Sequence, residues 1–112
     1  MSEVLQLVAR ELVNDLARGS YQSVLQRCVK SRLTIEDIRR VIGEYGRTLV
    51  TPPVDAYSHL DAVEVAGSIP ETWSVRVPLW TKEEGPSDLT LELAIALRDD
   101  GPTVELDDLH VL

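Results

Sequence analysis

The sequence predicts an α+β fold in which N-terminal helices pack on one side of a bent antiparallel sheet. Apolar residues recur at three-to-four spacing up to about residue 46, as in amphipathic helices, and from residue 47 onward they alternate with polar residues, as in half-buried strands. Turn-forming stretches separate the strands, which favours antiparallel pairing of consecutive strands as a meander. We therefore expect a single domain over residues 1–112, with helices at about 2–46 and the sheet at about 47–112.

Two helices are expected before residue 30. The first is a long amphipathic helix with Ser2 as its candidate N-cap and Gly19 just past its end. Its apolar stripe contains Leu5, Val8, Leu12 and Leu16. A shorter second helix is expected to follow, with Ser20 as its cap.

The third helix carries the clearest start and stop signals. Thr34 is a candidate N-cap, and Asp37 at the third helical position predicts a capping box. Gly46 is expected to end the helix. Gly43 lies inside it and costs about 1 kcal/mol relative to alanine, which predicts close packing at that point.

Five stretches have the period-two pattern of strands, and the stretch at 88–98 has the strongest alternation. Pro52 and Pro53 end the first stretch, since proline cannot donate to a central ladder. The segments "KEEGPS" and "DDGP" predict the turns between the last three strands. The five candidate strands are 47–50, 60–67, 72–81, 88–98 and 104–111.

The last candidate strand loses its alternation at Asp107 and Asp108 and resumes it afterwards. A strand that changes phase by one residue predicts a β-bulge, which would bend the sheet around the helices. Deletion of either aspartate is accordingly expected to turn core side chains outward. The register that keeps apolar residues on one face pairs Leu79 with Leu89, Val77 with Leu91, Val75 with Leu93, Leu97 with Val104, Ile95 with Leu106, Leu93 with Leu109 and Leu91 with Val111.

This register places Arg76, Glu92 and His110 in a row on the solvent side of three strands. One interpretation is a carboxylate that orients a histidine for acid–base chemistry, with Asp107 or Asp108 nearby. The favoured interpretation is a set of exposed cross-strand ion pairs. The row has no pocket that would exclude water, and the spacing of the two histidines and the acidic residues matches no metal-binding motif. We therefore expect no catalytic residue, no metal site and no cofactor.

The charge distribution indicates the class of partner. Residues 1–47 carry eight basic and six acidic side chains, whereas residues 48–112 carry three basic and thirteen acidic ones, and the net charge is −8. Because nucleic acids and anionic membranes would be repelled, we expect neither as a partner, and a basic protein is favoured. The single Cys28 and the lack of a signal peptide or an apolar run of about 20 residues predict a cytoplasmic protein.

The order of the elements carries a resemblance. A first helix followed by "ARGSYQSVL", a third helix with "LTIEDI" and a long meander resemble the cone-shaped nuclear-transport-factor-two-like (cystatin-like) superfamily. Residues 33–112, with "SVRVPLWTKEEGPSDLTLEL" and "LDDLHVL", more closely resemble a small bacterial family that is a domain of unknown function. Enzymes of the cone superfamily use Asp, His or Tyr inside the concave sheet face. Here that face is apolar, so the resemblance implies no catalytic residue.

The preferred function is a non-catalytic binding or protein-interaction module. It would act as a homodimer through its sheet or as an acidic partner of a basic protein, such as an immunity protein. Trp80 beside Pro78, with alanines on the neighbouring strand, is expected to form a small apolar patch. Arg76, Glu92 and His110 would complete this interaction surface.

The alternative function is that of a small-molecule-binding protein or enzyme. Its pocket would open between the helices and the sheet near the segment "PPVDAYSH". Tyr57 and His59 of this segment would supply the polar groups that contact the ligand.

Overall fold

A computed structural model describes residues 2–112 of the chain. Its N-terminal helices and C-terminal strands confirm the α+β class. Among residues 2–112, none of the helices has both the length and the hydrophobicity needed to cross a bilayer. The elements in chain order are α1 Glu3–Ala17, α2 Tyr21–Arg27, β1 Lys30–Ser31, α3 Ile35–Tyr45, β2 Leu49–Val50, a 3₁₀ helix Val54–His59, β3 Asp61–Glu64, β4 Thr72–Thr81, β5 Gly85–Arg98 and β6 Gly101–Val111.

The predicted ends of α1 and α3 are confirmed. The Ser2 hydroxyl oxygen accepts a hydrogen bond from the backbone N–H of Val4 at 3.2 Å. At α3, the backbone N–H of Asp37 donates to the Thr34 hydroxyl at 3.1 Å and the backbone N–H of Thr34 donates to the Asp37 carboxylate at 2.9 Å, which is the expected capping box. Gly46 ends α3 with a left-handed φ of 72°, which a residue with a side chain rarely adopts.

One expectation about the helices was met in part, and another was wrong. Ser20 is at the N-cap position of α2, as expected, but its side chain makes no capping hydrogen bond to residues 21–27. Gly43 is exposed, and a Cβ atom added there would have no heavy atom of the described chain within 4 Å. The glycine therefore does not mark close packing.

The sheet is open and mixed, whereas a purely antiparallel meander was expected. The strand order is β1-β6-β5-β4-β2, and β3 also pairs with β4. β1 lies inside the region assigned to helices and pairs in parallel with β6, with Lys30 opposite Glu105. The backbone N–H groups of Val29 and Arg32 donate to the carbonyl oxygens of Val104 and Leu106 in β6 and extend this pairing. Because β1 is only two residues long, it has no alternation that a sequence pattern could reveal.

The β4–β5 ladder follows the predicted register over most of its length. Val75 pairs with Leu93 and Val77 with Leu91, as expected. After Pro78 the register shifts, and the expected Leu79–Leu89 pair falls in this irregularity. There the hydroxyl of Ser87 donates to the Leu79 carbonyl oxygen at 2.7 Å, which satisfies an acceptor inside the irregularity.

The predicted β5–β6 register was wrong by two residues. Ile95 pairs with Val104 and Leu93 with Leu106, because the turn is tighter than expected. Arg98 pairs with Gly101, whose φ is 123°, so two residues form the loop. A two-residue slip leaves every side chain on the same face, and the in-and-out pattern therefore could not detect it.

The predicted β-bulge in β6 is confirmed. Glu92 pairs with Asp108 and the adjacent Leu93 pairs with Leu106, so Asp107 is the extra residue. Leu109 then pairs with Leu91 rather than with Leu93, which is again a shift of two residues from the expected register.

The hydrophobic core fills the space between the helices and one face of the sheet. We call this side of the sheet the inner face. The helices contribute the buried residues Leu5, Ala9, Leu12, Val13, Leu16, Val24 and Ile38. The inner face contributes Val75, Val77, Leu79, Leu89, Leu91, Leu93, Ile95, Val104, Leu106 and Leu109.

Asp15 is the buried acidic residue of α1, and it connects α1 to α2. Its carboxylate accepts a hydrogen bond from Arg27 Nε at 2.6 Å and forms a second ion pair with Arg18. Arg27 also contacts Glu11 at 2.5 Å. The hydrogen bond to Asp15 raises the pKa of Arg27, which keeps this guanidinium charged beside the buried carboxylate.

Candidate functional site

The side of the sheet opposite the inner face carries the residues that the sequence assigned to an interaction surface. We call this side the outer face. Its side chains alternate with those of the core, and the helices lie on the other side of the sheet. The outer face includes Lys30, Val50, Asp61, Val63, Ser74, Arg76, Pro78, Trp80, Thr90, Glu92, Ala94, Ala96, Thr103, Glu105, Asp108 and His110.

A row of charged residues crosses four strands of the outer face. Asp61 pairs with Arg76, Arg76 with Glu92, and Glu92 with Asp108. Adjacent members lie on strands about 4.8 Å apart. Arg76 Nε donates to Glu92 Oε1 at 3.1 Å, so the structure forms the ion pair that the sequence predicted. We call these four residues the charged row.

His110 joins the charged row diagonally. It pairs with Thr90 and not with Glu92, because of the register shift in β6. Its imidazole Nε2 nevertheless contacts Glu92 Oε2 and lies 3.8 Å from Asp108 Oδ2. The structure therefore brings together the three predicted residues Arg76, Glu92 and His110, and adds Asp108 to them.

One oxygen of each carboxylate is held by a donor, and the other faces the histidine. Arg76 holds Glu92 Oε1, and the backbone N–H of Leu109 donates to Asp108 Oδ1 at 2.8 Å. One ligand atom each from Glu92, Asp108 and His110 lie within 4.8 Å of one another. Such an arrangement can hold a metal ion. The expectation of no metal site was based only on the spacing of residues along the chain. The three ligand atoms come together instead because β5 and β6 pair in the sheet.

The charges of this region shift two pKa values. Burial raises the pKa of Glu92, but the hydrogen bonds from His110 and Arg76 outweigh this effect and hold the pKa below its usual range. Burial also raises the pKa of Asp107, and the negative charges of neighbouring carboxylates, Glu92 among them, add to the rise despite the opposing charge of Arg32. The surroundings of the bulge therefore carry an excess of negative charge.

The apolar patch that was expected to join Trp80 to the neighbouring alanines is divided into two separate parts. Ala94 pairs with Ser74, six residues before Trp80 in the same strand, and this separation corresponds to about 20 Å. The Arg76–Glu92 ion pair lies between the two ends. The Trp80 ring lies instead against the backbone of Gly85, 3.9 Å from where a Cβ atom would be. Trp80 and Pro78 therefore remain on the outer face, but no continuous patch joins them to the alanines.

Tyr57 and His59, the expected ligand-binding pair, are in different environments. Tyr57 is 2% exposed, and within residues 2–112 its hydroxyl has no hydrogen-bond partner. It lines a groove of about 180 Å³ together with Glu3 and Arg10 of α1 and Val54. His59 is exposed and does not line this groove. Sequence reasoning missed Arg10, because nothing in the helical pattern of α1 indicates a neighbour more than forty positions further along the chain.

Comparison with known protein families identifies the family to which the chain belongs. Residues 13–112 match the family model described as Domain of unknown function (DUF7668). No curated protein and no solved structure matches the chain. The matched range contains the whole outer face, whereas Glu3 and Arg10 of the groove lie before it.

Proposed function

Since the chain belongs to the DUF7668 family of domains of unknown function, we propose its function from the outer face: it is a non-catalytic protein-interaction module that binds a basic segment of a partner protein. The observation that carries this proposal is the charged row on the side of the sheet opposite the helices. The row places three carboxylates, those of Asp61, Glu92 and Asp108, around the single guanidinium of Arg76. A cationic segment laid across the strands would meet this negative surplus.

The charge around the row supports the same class of partner. Glu105 lies on the outer face opposite Lys30, and Asp107 lies in the bulge near Arg32. With these residues added to the charged row, five carboxylates face three basic side chains, so the region keeps a negative surplus. The chain as a whole carries −8. Complementary charge steers association and discriminates between partners more than it adds affinity, so we expect fast, salt-sensitive binding of moderate strength.

The alternative function, a ligand site between helices and sheet, has less support. The inner face is packed against α1 by apolar side chains such as Val77, Leu91 and Leu93, and these occupy the place where the cavity of a cone-shaped enzyme would lie. The groove beside Tyr57 is the remaining candidate for a small ligand, because one of its lining residues is Tyr57, whose buried hydroxyl has no hydrogen-bond partner among residues 2–112.

Three further expectations from the sequence, on superfamily, source and location, are part of what we propose. A relationship to the cone-shaped nuclear-transport-factor-two-like superfamily is supported by three helices that precede the antiparallel strands β3 to β6. A bacterial source is supported by the family resemblance of residues 33–112. A cytoplasmic location is supported by the single Cys28, which fits a reducing compartment.

The test is a titration with a short synthetic peptide of alternating arginine and threonine, followed by NMR of the ¹⁵N-labelled protein with a chelator present. We expect saturable shift changes on the outer face that weaken as ionic strength rises. The double variant Asp61→Asn with Glu105→Gln should bind the peptide more weakly. The matched control is Glu36→Gln with Glu44→Gln, which removes the same charge from α3.

Equal weakening by both double variants would show that net charge alone attracts the peptide, and would overturn the proposal. Shift changes confined to Glu3, Arg10 and Tyr57 would instead favour the groove. A third outcome is peptide binding that does not saturate, together with chemical shifts that change with protein concentration when no peptide is present. This result would indicate a homodimer and would also contradict the proposed function.

A further inference from the structure

The charged row has a second property that does not depend on a protein partner. Glu92, Asp108 and His110 each direct one ligand atom to a common point on the outer face. These side chains are partly exposed, with 22%, 48% and 34% of their surface accessible. An ion from solution can therefore reach the point between them.

We propose that Glu92, Asp108 and His110 form a binding site for a first-row divalent transition-metal ion, with Zn²⁺ as the best fit. The donor set is two carboxylate oxygens and one imidazole nitrogen. Zinc accepts this combination at metal–ligand distances of about 2.0–2.2 Å, whereas Ca²⁺ and Mg²⁺ prefer shells of oxygen alone. Zinc also binds nitrogen and oxygen ligands more tightly than Mn²⁺ does.

The distances suit such an ion. Ligand atoms bound to one zinc ion at these bond lengths are separated by about 3–4 Å. His110 Nε2 and Asp108 Oδ2 are 3.8 Å apart. His110 Nε2 contacts Glu92 Oε2 directly, so this pair must separate for the ion to enter. The ion would bind Nε2 of the neutral imidazole, which then carries its proton on Nδ1.

The carboxylates are already oriented for the ion. The hydrogen bond from Arg76 fixes Glu92 Oε1, and the N–H of Leu109 fixes Asp108 Oδ1, so the remaining oxygens face His110 Nε2. Hydrogen bonds of this kind commonly orient carboxylates that ligate metals. The charge of Arg76 opposes cation binding, but the two carboxylates that would ligate the ion, Glu92 and Asp108, outweigh it.

Three protein ligands leave at least one coordination position open. The site would therefore hold the ion together with water, or together with a ligand atom from another molecule. This inference goes beyond the proposed function, because occupation of the site by metal requires no partner protein.

The experiment is isothermal titration of the full chain with ZnCl₂, repeated with Co²⁺ while its visible absorption is recorded. We expect one ion per chain. Affinity should fall about tenfold or more in each of the variants His110→Ala, Glu92→Gln and Asp108→Asn. The chain provides a matched control in His59→Ala, since His59 is exposed and is not one of the three converging ligands. Asp61→Asn is a second control, because Asp61 belongs to the charged row but not to the three ligands.

Equal loss of Zn²⁺ binding in His59→Ala and His110→Ala, or unchanged binding in His110→Ala, would overturn the proposed site. Absence of any stoichiometric binding to the folded chain would do the same. Circular dichroism of each variant identifies any that fails to fold, and the two carboxylate variants then decide the question. Because the peptide titration is carried out with a chelator, failure of the metal site leaves the test of the proposed function intact.

Discussion

Deletion of Asp107 should convert β6 into a regular strand without moving a buried side chain outward. Leu106 and Asp108 pair with consecutive residues of β5, Leu93 and Glu92, so removing the residue between them leaves an uninterrupted ladder. The core and outer faces then alternate along the whole strand. The register thus leads to the opposite prediction for Asp107 from the expectation from the sequence, in which deleting either aspartate would expose core residues.

The magnitude follows from what each deletion exposes. Deletion of Asp107 removes a half-buried carboxylate and loses the bend of the bulge, but it costs no apolar burial. We expect the free energy of unfolding to change by less than about 1 kcal/mol. Deletion of Glu105 is the matched control, because it turns Leu106 outward and Asp107 inward. Leu106 is 1% exposed, and loss of a buried leucine from a core costs about 2–5 kcal/mol.

Urea unfolding followed by tryptophan fluorescence measures both changes, with the slope of the transition as a check that the two-state model holds. The deletion of Asp107 should leave the midpoint close to that of the parent chain, and the deletion of Glu105 should lower it strongly. Equal destabilisation by the two deletions would refute the reasoning, since it would mean that the bend of the bulge stabilises the fold as much as the burial of Leu106 does.

Three further predictions concern the helices and the groove. Gly43→Ala should raise the free energy of unfolding by about 0.5–1 kcal/mol, because the site is an exposed helix interior with open space for a methyl group; urea unfolding measures this gain. Burial raises the pKa of the Cys28 thiol to about 11, so at pH 8 it should react far more slowly with an aromatic disulfide reagent in the folded chain than in urea, and equal rates would contradict this. Tyr57→Phe should leave stability unchanged or raise it by up to about 1 kcal/mol, since it removes a buried hydroxyl without a partner; a loss above about 1 kcal/mol in thermal unfolding would show that the hydroxyl is bound.

The sequence was sufficient to predict which face of each long helix or strand is buried, because local periodicity determines that face. The alternation of β4 and β5 correctly assigned Val75, Val77 and Leu93 to the core, and Arg76 and Glu92 to the outer face. The Thr34 capping box was likewise predictable, since it depends on two residues three positions apart. Local rules therefore accounted for most of the fold.

The alignment of elements along one another could not be predicted in the same way. A slip of two residues preserves the faces, so periodicity left the position of His110 relative to Glu92 undetermined. The tight turn before Gly101 sets that position, and the bulge at Asp107 sets which carboxylate lies beside the histidine. Burial of Tyr57 against α1 is a contact between distant segments that no local pattern encodes. The candidate sites depend on these long-range details more than the fold does.

The two proposals for the outer face make one joint prediction, because they share Glu92 and Asp108. A bound Zn²⁺ ion adds two positive charges to the charged row and should repel a basic segment. At about 10 Å in a water-like dielectric, two charges acting on one cationic side chain cost about 0.8 kcal/mol, or roughly a fourfold loss of affinity, before screening by salt. The coupling between the two ligands is reciprocal, so the arginine–threonine peptide should lower the affinity for Zn²⁺ by the same factor. Titration of each ligand in the presence of the other measures both factors. Independent binding would place the peptide away from the charged row, and a Zn²⁺-dependent gain in peptide affinity would contradict the electrostatic basis of the proposed function.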